Sequence, residues 1–156
     1  MSALLIAFAA MGCAEFPDAA SVAANTQLSD DAYHPSRVVL GPPMQFDNYC
    51  YYQLTDDGKA VYLFVDVIAD DWLFLDSAYE VGGRRLALVK VDQKVLGEGA
   101  GIKEVVAVTM PPAELVGLRQ QGLNMRIEGQ RDNIIVNVPA YYFEGFFKKR
   151  NELAGG

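Results

Sequence analysis

Residues 66–72 read Asp-Val-Ile-Ala-Asp-Asp-Trp, and Asp76 follows shortly after. Carboxylates at this density serve two chemistries. They can surround Ca²⁺, which takes six to eight oxygen ligands. They can also act as the acid and base pair that flanks a glycosidic bond. The spacing does not match an EF-hand loop, because the mid-loop glycine and the closing bidentate glutamate are missing. The stretch therefore reads as a polar turn at Asp70-Asp71, with Trp72 opening the next core strand. Asp66, Asp70, Asp71 and Asp76 remain the candidates for carboxylate chemistry, and neither a metal nor a cofactor is expected.

Nucleophilic catalysis has little to work with. The single histidine, His34, sits beside Pro35 in a polar tract, and no Gly-x-Ser-x-Gly elbow occurs. Residues 97–101 read Gly-Glu-Gly-Ala-Gly, but a phosphate loop needs a strand before it and a helix after it. Here the run leads into strand-like sequence, so a flexible connection is expected. Of the two cysteines, Cys50 lies in the apolar context Tyr-Cys-Tyr-Tyr and reads as a small buried hydrophobe. Tyr and Trp fill cores while keeping a polar tip hydrated, and the same property makes them ligand platforms. Tyr52, Trp72, Tyr79, Tyr141 and Tyr142 are the candidate binding surface.

Positioning these groups falls to β-structure. Residues 46–54 and 61–67 are dense in aromatic and β-branched side chains, and the Asp-Gly between them is a hairpin signal. Residues 72–79 and 85–91 repeat that arrangement around Val81-Gly82-Gly83. Residues 103–110 read as a further strand, and 125–128 pairs with 134–138. Several runs are apolar at consecutive positions, which calls for cover on both faces. Two helices can supply it. Residues 112–121 open on Pro and stop at Gly122. Residues 140–153 carry Tyr142, Phe143, Phe146 and Phe147 on one broad aromatic face, with Lys148, Lys149 and Arg150 as a solvated end. The expected class is mainly β with two helices (α+β), an antiparallel sandwich or barrel-like sheet covered by the C-terminal helix.

The amino terminus answers a different question. Residues 3–14 are uncharged and apolar. As a helix they reach about 18 Å at ~1.5 Å per residue, short of the ~30 Å hydrocarbon core of a bilayer. That length and the small residues at its end fit the apolar region of a secretory signal. Ala10-Met11-Gly12-Cys13 resembles the lipobox of bacterial lipoprotein signals. The resemblance implies removal of residues 1–12 and lipidation of Cys13. Ala14 in the following position leans toward the outer membrane, facing the periplasm. It implies nothing about activity.

Charge narrows the partners. The formal charge is −7, and an acidic balance argues against nucleic acid, whose binding rests on Lys and Arg contacts to phosphate. Four of the acids, Glu15, Asp18, Asp30 and Asp31, fall in residues 13–36, where Lys and Arg are absent. That stretch reads as an acidic tether, leaving residues 37–156 as one β-rich domain. The expected role is a binding or scaffolding module in the cell envelope, without catalysis, held to the membrane by its lipid and engaging an envelope protein or glycan. A small hydrolase built on the Asp cluster, or a carrier with an apolar internal cavity, is the alternative.

Overall fold

The computed structural model describes residues 15–30 and 37–154. The expected signal region, Cys13 and His34 lie outside the described residues. The described residues are mainly β, with antiparallel sheets and three α-helices where the sequence suggested two helices. In order the elements are α1 (Ala19–Asn25), β1 (Gln27–Asp30), β2 (Arg37–Leu40), β3 (Met44–Asp47), β4 (Cys50–Asp56), β5 (Val61–Ala69), β6 (Leu75–Glu80), β7 (Arg85–Leu86), β8 (Leu88–Val95), β9 (Ile102–Met110), α2 (Leu115–Gln121), β10 (Leu123–Gly129), β11 (Asn133–Val138) and α3 (Ala140–Ala154).

The strands form two sheets. The larger runs β1-β2-β4-β5-β9-β8, with β3 also pairing β4, and the smaller runs β11-β10-β6-β7. The Asp-Gly hairpin forms as expected between β4 and β5, Asp56 standing opposite Val61. Its turn is closed by side chains: Asp56 Oδ1 accepts the Gly58 N–H at 2.8 Å, and Asp57 Oδ1 accepts those of Lys59 and Ala60. Gly58 takes a φ of 83° there, a conformation that costs glycine little. The hairpins around Val81–Gly83 and residues 129–133 also form.

Boundaries moved in four places, one of them the expected strand 85–91, which divides at Ala87 into β7 on the smaller sheet and β8 on the larger. The run 46–54 breaks into β3 and β4, because Tyr49 adopts a φ of 58° and reverses the chain. The strand expected from Trp72 begins only at Leu75. The described part of the expected tether is built into the fold. Asp18 and Ser21 form a capping box at the start of α1, Val22 is fully buried, and β1 pairs β2. Seven residues, about two helical turns, with Val22 as the buried anchor leave too short a periodicity to read in sequence.

A continuous core joins inward residues of both sheets to α3, including Leu54, Leu63, Val65, Val106, Val108, Met125, Ile127 and Val136. As expected, Tyr142, Phe143, Phe146 and Phe147 of α3 all point into it and are at most 3% exposed. Each such side chain contributes roughly 1.5–3 kcal/mol on burial. The helix end is not simply solvated: Arg150 pairs with the buried Asp56 at the end of β4 and lies over the Phe147 ring. Among the described residues, no helix is long and apolar enough to cross a membrane.

Candidate functional site

The outward face of the smaller sheet holds an open recess of about 680 Å³, within the ~300–1,000 Å³ range of ligand sites. Its walls include Tyr79 from β6, Asn124, Arg126 and Glu128 from β10, and Ile135 and Asn137 from β11, with the Val81–Gly83 turn at one end. The placement follows from strict alternation. In β10, Leu123, Met125 and Ile127 go inward, so Asn124, Arg126 and Glu128 must face out. Register then aligns the neighbours. Arg126 stands opposite both Ile135 and Tyr79, Tyr79 stands opposite Arg85, and Asn124 stands opposite Asn137.

Electrostatically this face is mixed. Arg126 pairs with Glu128 at 2.5 Å, both substantially exposed. Arg84, at the β6–β7 turn, is engaged by Glu80 and Glu114. Ile135 is 56% exposed, an apolar spot among amides and guanidinium groups. The arrangement offers planar hydrogen-bonding groups around one phenol ring. That equips it to hold a polar ligand.

A second feature lies between β5 and β6. Glu104 of β9 is only 2% exposed, and its carboxylate accepts the Leu73 N–H at 2.8 Å and the Leu75 N–H at 3.1 Å. Gln93 Nε2 donates to the same group at 3.3 Å. Phe74, between the two clamped amides, is held at a φ of 54°, a region that costs a bulky residue about 1–3 kcal/mol. Trp72 stacks on Phe74 with centroids 5.7 Å apart and planes 18° from parallel. Arg131 lies 5.6 Å from the Phe74 ring and pairs with Asp71. A carboxylate of the large sheet thus fixes the chain entering the small one.

The acidic candidates are not brought together. Asp66 is 3% exposed within β5, its Oδ2 2.9 Å from Lys103 Nζ. Burial raises the pKa of its carboxyl group and the lysine partly offsets that. Asp70 and Asp71 occupy the bend after β5, as the turn reading expected, and Asp71 accepts the Trp72 N–H and the Arg131 guanidinium. Asp76 is exposed in β6 and accepts the Ser77 hydroxyl at 3.0 Å. Asp66, Asp71 and Asp76 each have their own partner, because the bend carries the chain from one sheet to the other. Among the described residues, no group of three or more His, Cys, Asp or Glu is arranged to hold a metal.

The aromatic candidates divide. Tyr52 and Tyr142 are not surface at all: they are 3% and 0% exposed and meet edge to face at 5.2 Å inside the core. Burial drives both phenols well above their ordinary pKa. Tyr141 packs against the same core, Trp72 is half-buried in its stack, and Tyr79 alone lines the recess. Cys50 is a buried free thiol whose pKa burial raises. The 97–101 glycine run forms the tip of the β8–β9 hairpin, with Leu96 N–H donating to Gly101 O at 3.0 Å and Ala100 N–H to Gly97 O at 2.9 Å.

Sequence reasoning missed Asn124, Arg126, Ile135 and Asn137. Their signal was present in the alternation of residues 123–128, Leu-Asn-Met-Arg-Ile-Glu, which marks one buried and one open face. Comparison with protein families, with curated proteins and with solved structures finds no match.

Proposed function

We propose that the chain is a binding module whose ligand sits on the outward face of the smaller sheet. The recess walled by Tyr79, Asn124, Arg126 and Asn137 carries this reading. It combines volume, exposed planar donors and an aromatic ring on rigid, paired strands. The core that the two sheets share supports an antiparallel sandwich with α3 along it, a scaffold suited to presenting such a face. The hydrolase alternative loses support from the separate engagement of Asp66, Asp71 and Asp76. A carrier reading has less support than the binding reading, since the recess opens outward between polar walls.

The proposal extends to address. Residues 1–12 act as an export signal, and Cys13 carries lipid that tethers the module to the bacterial envelope, at the periplasmic side of the outer membrane. The apolar run and the Ala10–Cys13 tetrad support this. Several acyl chains hold a protein stably, because each buried CH₂ contributes ~0.8 kcal/mol.

Crosslinking and pull-down from intact envelopes test the binding half. A defined complex is expected with the native chain and is expected to vanish with Tyr79→Ala plus Asn137→Ala. The same complex recovered with that variant, correctly folded, overturns the site. Mass spectrometry of protein from cells grown with labelled fatty acid tests the address. An unmodified Cys13 behind a retained Met1 overturns it.

A further inference from the structure

Two edge strands of the sheets are finished differently. β8, at one edge of the larger sheet, carries Lys90, Asp92 and Lys94 and a bulge between Lys90 and Asp92. Charges and bulges keep an exposed edge from pairing with another chain. β11, at one edge of the smaller sheet, has neither: it reads Asn-Ile-Ile-Val-Asn-Val, in unbroken register with β10. Two backbone bonds show which of its groups are open. Gly129 N–H donates to the Asp132 carbonyl at 2.9 Å, and Val81 N–H to the Asn124 carbonyl at 3.2 Å. In an antiparallel ladder, successive residues bond to one side and then the other. Ile134, Val136 and Val138 therefore bond toward β10, and the backbone of Asn133, Ile135 and Asn137 points away from it. The Asn133 N–H is taken by Asp132 Oδ1 at 2.8 Å. Among the described residues, the N–H and C=O of Ile135 and Asn137 meet no partner, and the Ile135 side chain is 56% exposed.

The sequence of β11 names its partner. Residues 133–137, Asn-Ile-Ile-Val-Asn, read nearly alike in both directions about Ile135. A two-fold contact requires such self-matching, because the same patch meets itself; pairing with a foreign strand does not require it. We infer that β11 pairs antiparallel with β11 of a second copy about a two-fold axis at Ile135, joining the two smaller sheets into one. In this register Ile135 meets its counterpart, Asn133 meets Asn137 and Ile134 meets Val136. Ile135 exchanges both of its backbone bonds with its counterpart, and each Asn137 N–H reaches an Asn133 carbonyl. Moving the axis by one residue sets Ile135 against an asparagine. A slip of one residue in the pairing sets inward side chains against outward ones. Charge permits the contact as well, since two chains of net charge −7 meet along a strand that carries no acid. The pairing does not depend on the ligand reading, although it sets the two outward faces side by side.

Sedimentation equilibrium of the full chain tests this, and a monomer–dimer equilibrium is expected. Ile135→Lys sets two cations opposite one another and is expected to weaken association roughly tenfold or more. Asn137→Pro removes a donor that the ladder with β10 does not use, so it is expected to weaken the dimer while circular dichroism stays native. Cysteine crosslinking in a Cys13→Ser background reads the register. Ile135→Cys is expected to form a disulfide dimer, its Cα atoms about 5.5 Å apart. Asn133→Cys is expected to crosslink with Asn137→Cys but not with itself, being ~13 Å from its own counterpart at ~3.3 Å per residue. A monomer at every concentration, a dimer that both β11 variants leave intact, or Asn133→Cys self-crosslinking as readily as Ile135→Cys overturns the inference. So does Ile135→Cys crosslinking in intact envelopes to a different protein alone, which gives the edge to a foreign strand.

Discussion

The Tyr142 hydroxyl on the last helix accepts the Leu54 N–H of β4 at 3.0 Å, across 88 residues of sequence. The same hydroxyl donates to the Pro42 carbonyl at 2.8 Å. One fully buried oxygen therefore satisfies a strand amide and a loop carbonyl left unpaired where β2 and β3 approach β4 from the same side. Gly41 makes room for it, since a Cβ there would lie 2.9 Å from the hydroxyl.

Tyr142→Phe is expected to cost about 2 kcal/mol, because the phenyl ring still fills the space while a buried donor and acceptor lose their partner. Urea denaturation checks this: a lowered midpoint with an unchanged slope is the expected result. An unchanged midpoint means that the two bonds contribute nothing net.

Gly145→Ala sets two effects against each other. Alanine in place of a helical glycine gains up to about 1 kcal/mol of propensity. The added Cβ would stand 2.7 Å from the Val22 Cβ and closer still to the Ala19 carbonyl. Overpacking of this kind costs about 1–3 kcal/mol, and the partner is backbone that cannot rotate away. The expected outcome is a lower Tm together with faster proteolysis within α1. A raised Tm refutes the α1–α3 contact.

The chain has one tryptophan, and Glu104 holds its neighbourhood in place. Glu104→Ala frees the Leu73 and Leu75 amides and lets Phe74 leave its left-handed conformation. Expected are a red shift of Trp72 emission and a loss of about 3 kcal/mol, from two amide bonds to a charged group partly offset by the released strain. Unmoved emission counts against the clamp.

Asp66 gives the pH dependence a sign. Its folded pKa lies above the ordinary 3.8, chiefly because burial disfavours the charged form. The folded state therefore binds the proton more tightly than the unfolded chain does. Its contribution to stability is fully present below the unfolded value and is lost as pH rises through the folded one. Denaturation midpoints taken across that interval are expected to fall more steeply for the native chain than for Asp66→Asn. Parallel profiles dismiss the assignment.

Much of the secondary structure was legible because local physics decides it. The Asp57-Gly58 turn, the Val81–Gly83 turn and the aromatic stripe of α3 are determined within a dozen residues, and each was found where expected. Two of the runs that misled were decided by a single backbone angle. Tyr49 at a φ of 58° cuts one apparent strand in two, and Phe74 at 54° delays another.

For the candidate site, the sequence alone determined which residues alternate, and so that Arg126 and Asn124 share a face. Which aromatics are core and which are surface was not written there. Tyr52 and Tyr79 lie in equally aromatic, β-rich runs, yet one meets Tyr142 and the other faces solvent. Nor was the Ile135–Arg126–Tyr79–Arg85 row, because it joins strands up to 50 residues apart through register. Local sequence fixes turns and alternation through short-range sterics. Which strand lies beside which is settled by burying the most apolar surface at once, and only the folded chain carries out that sum.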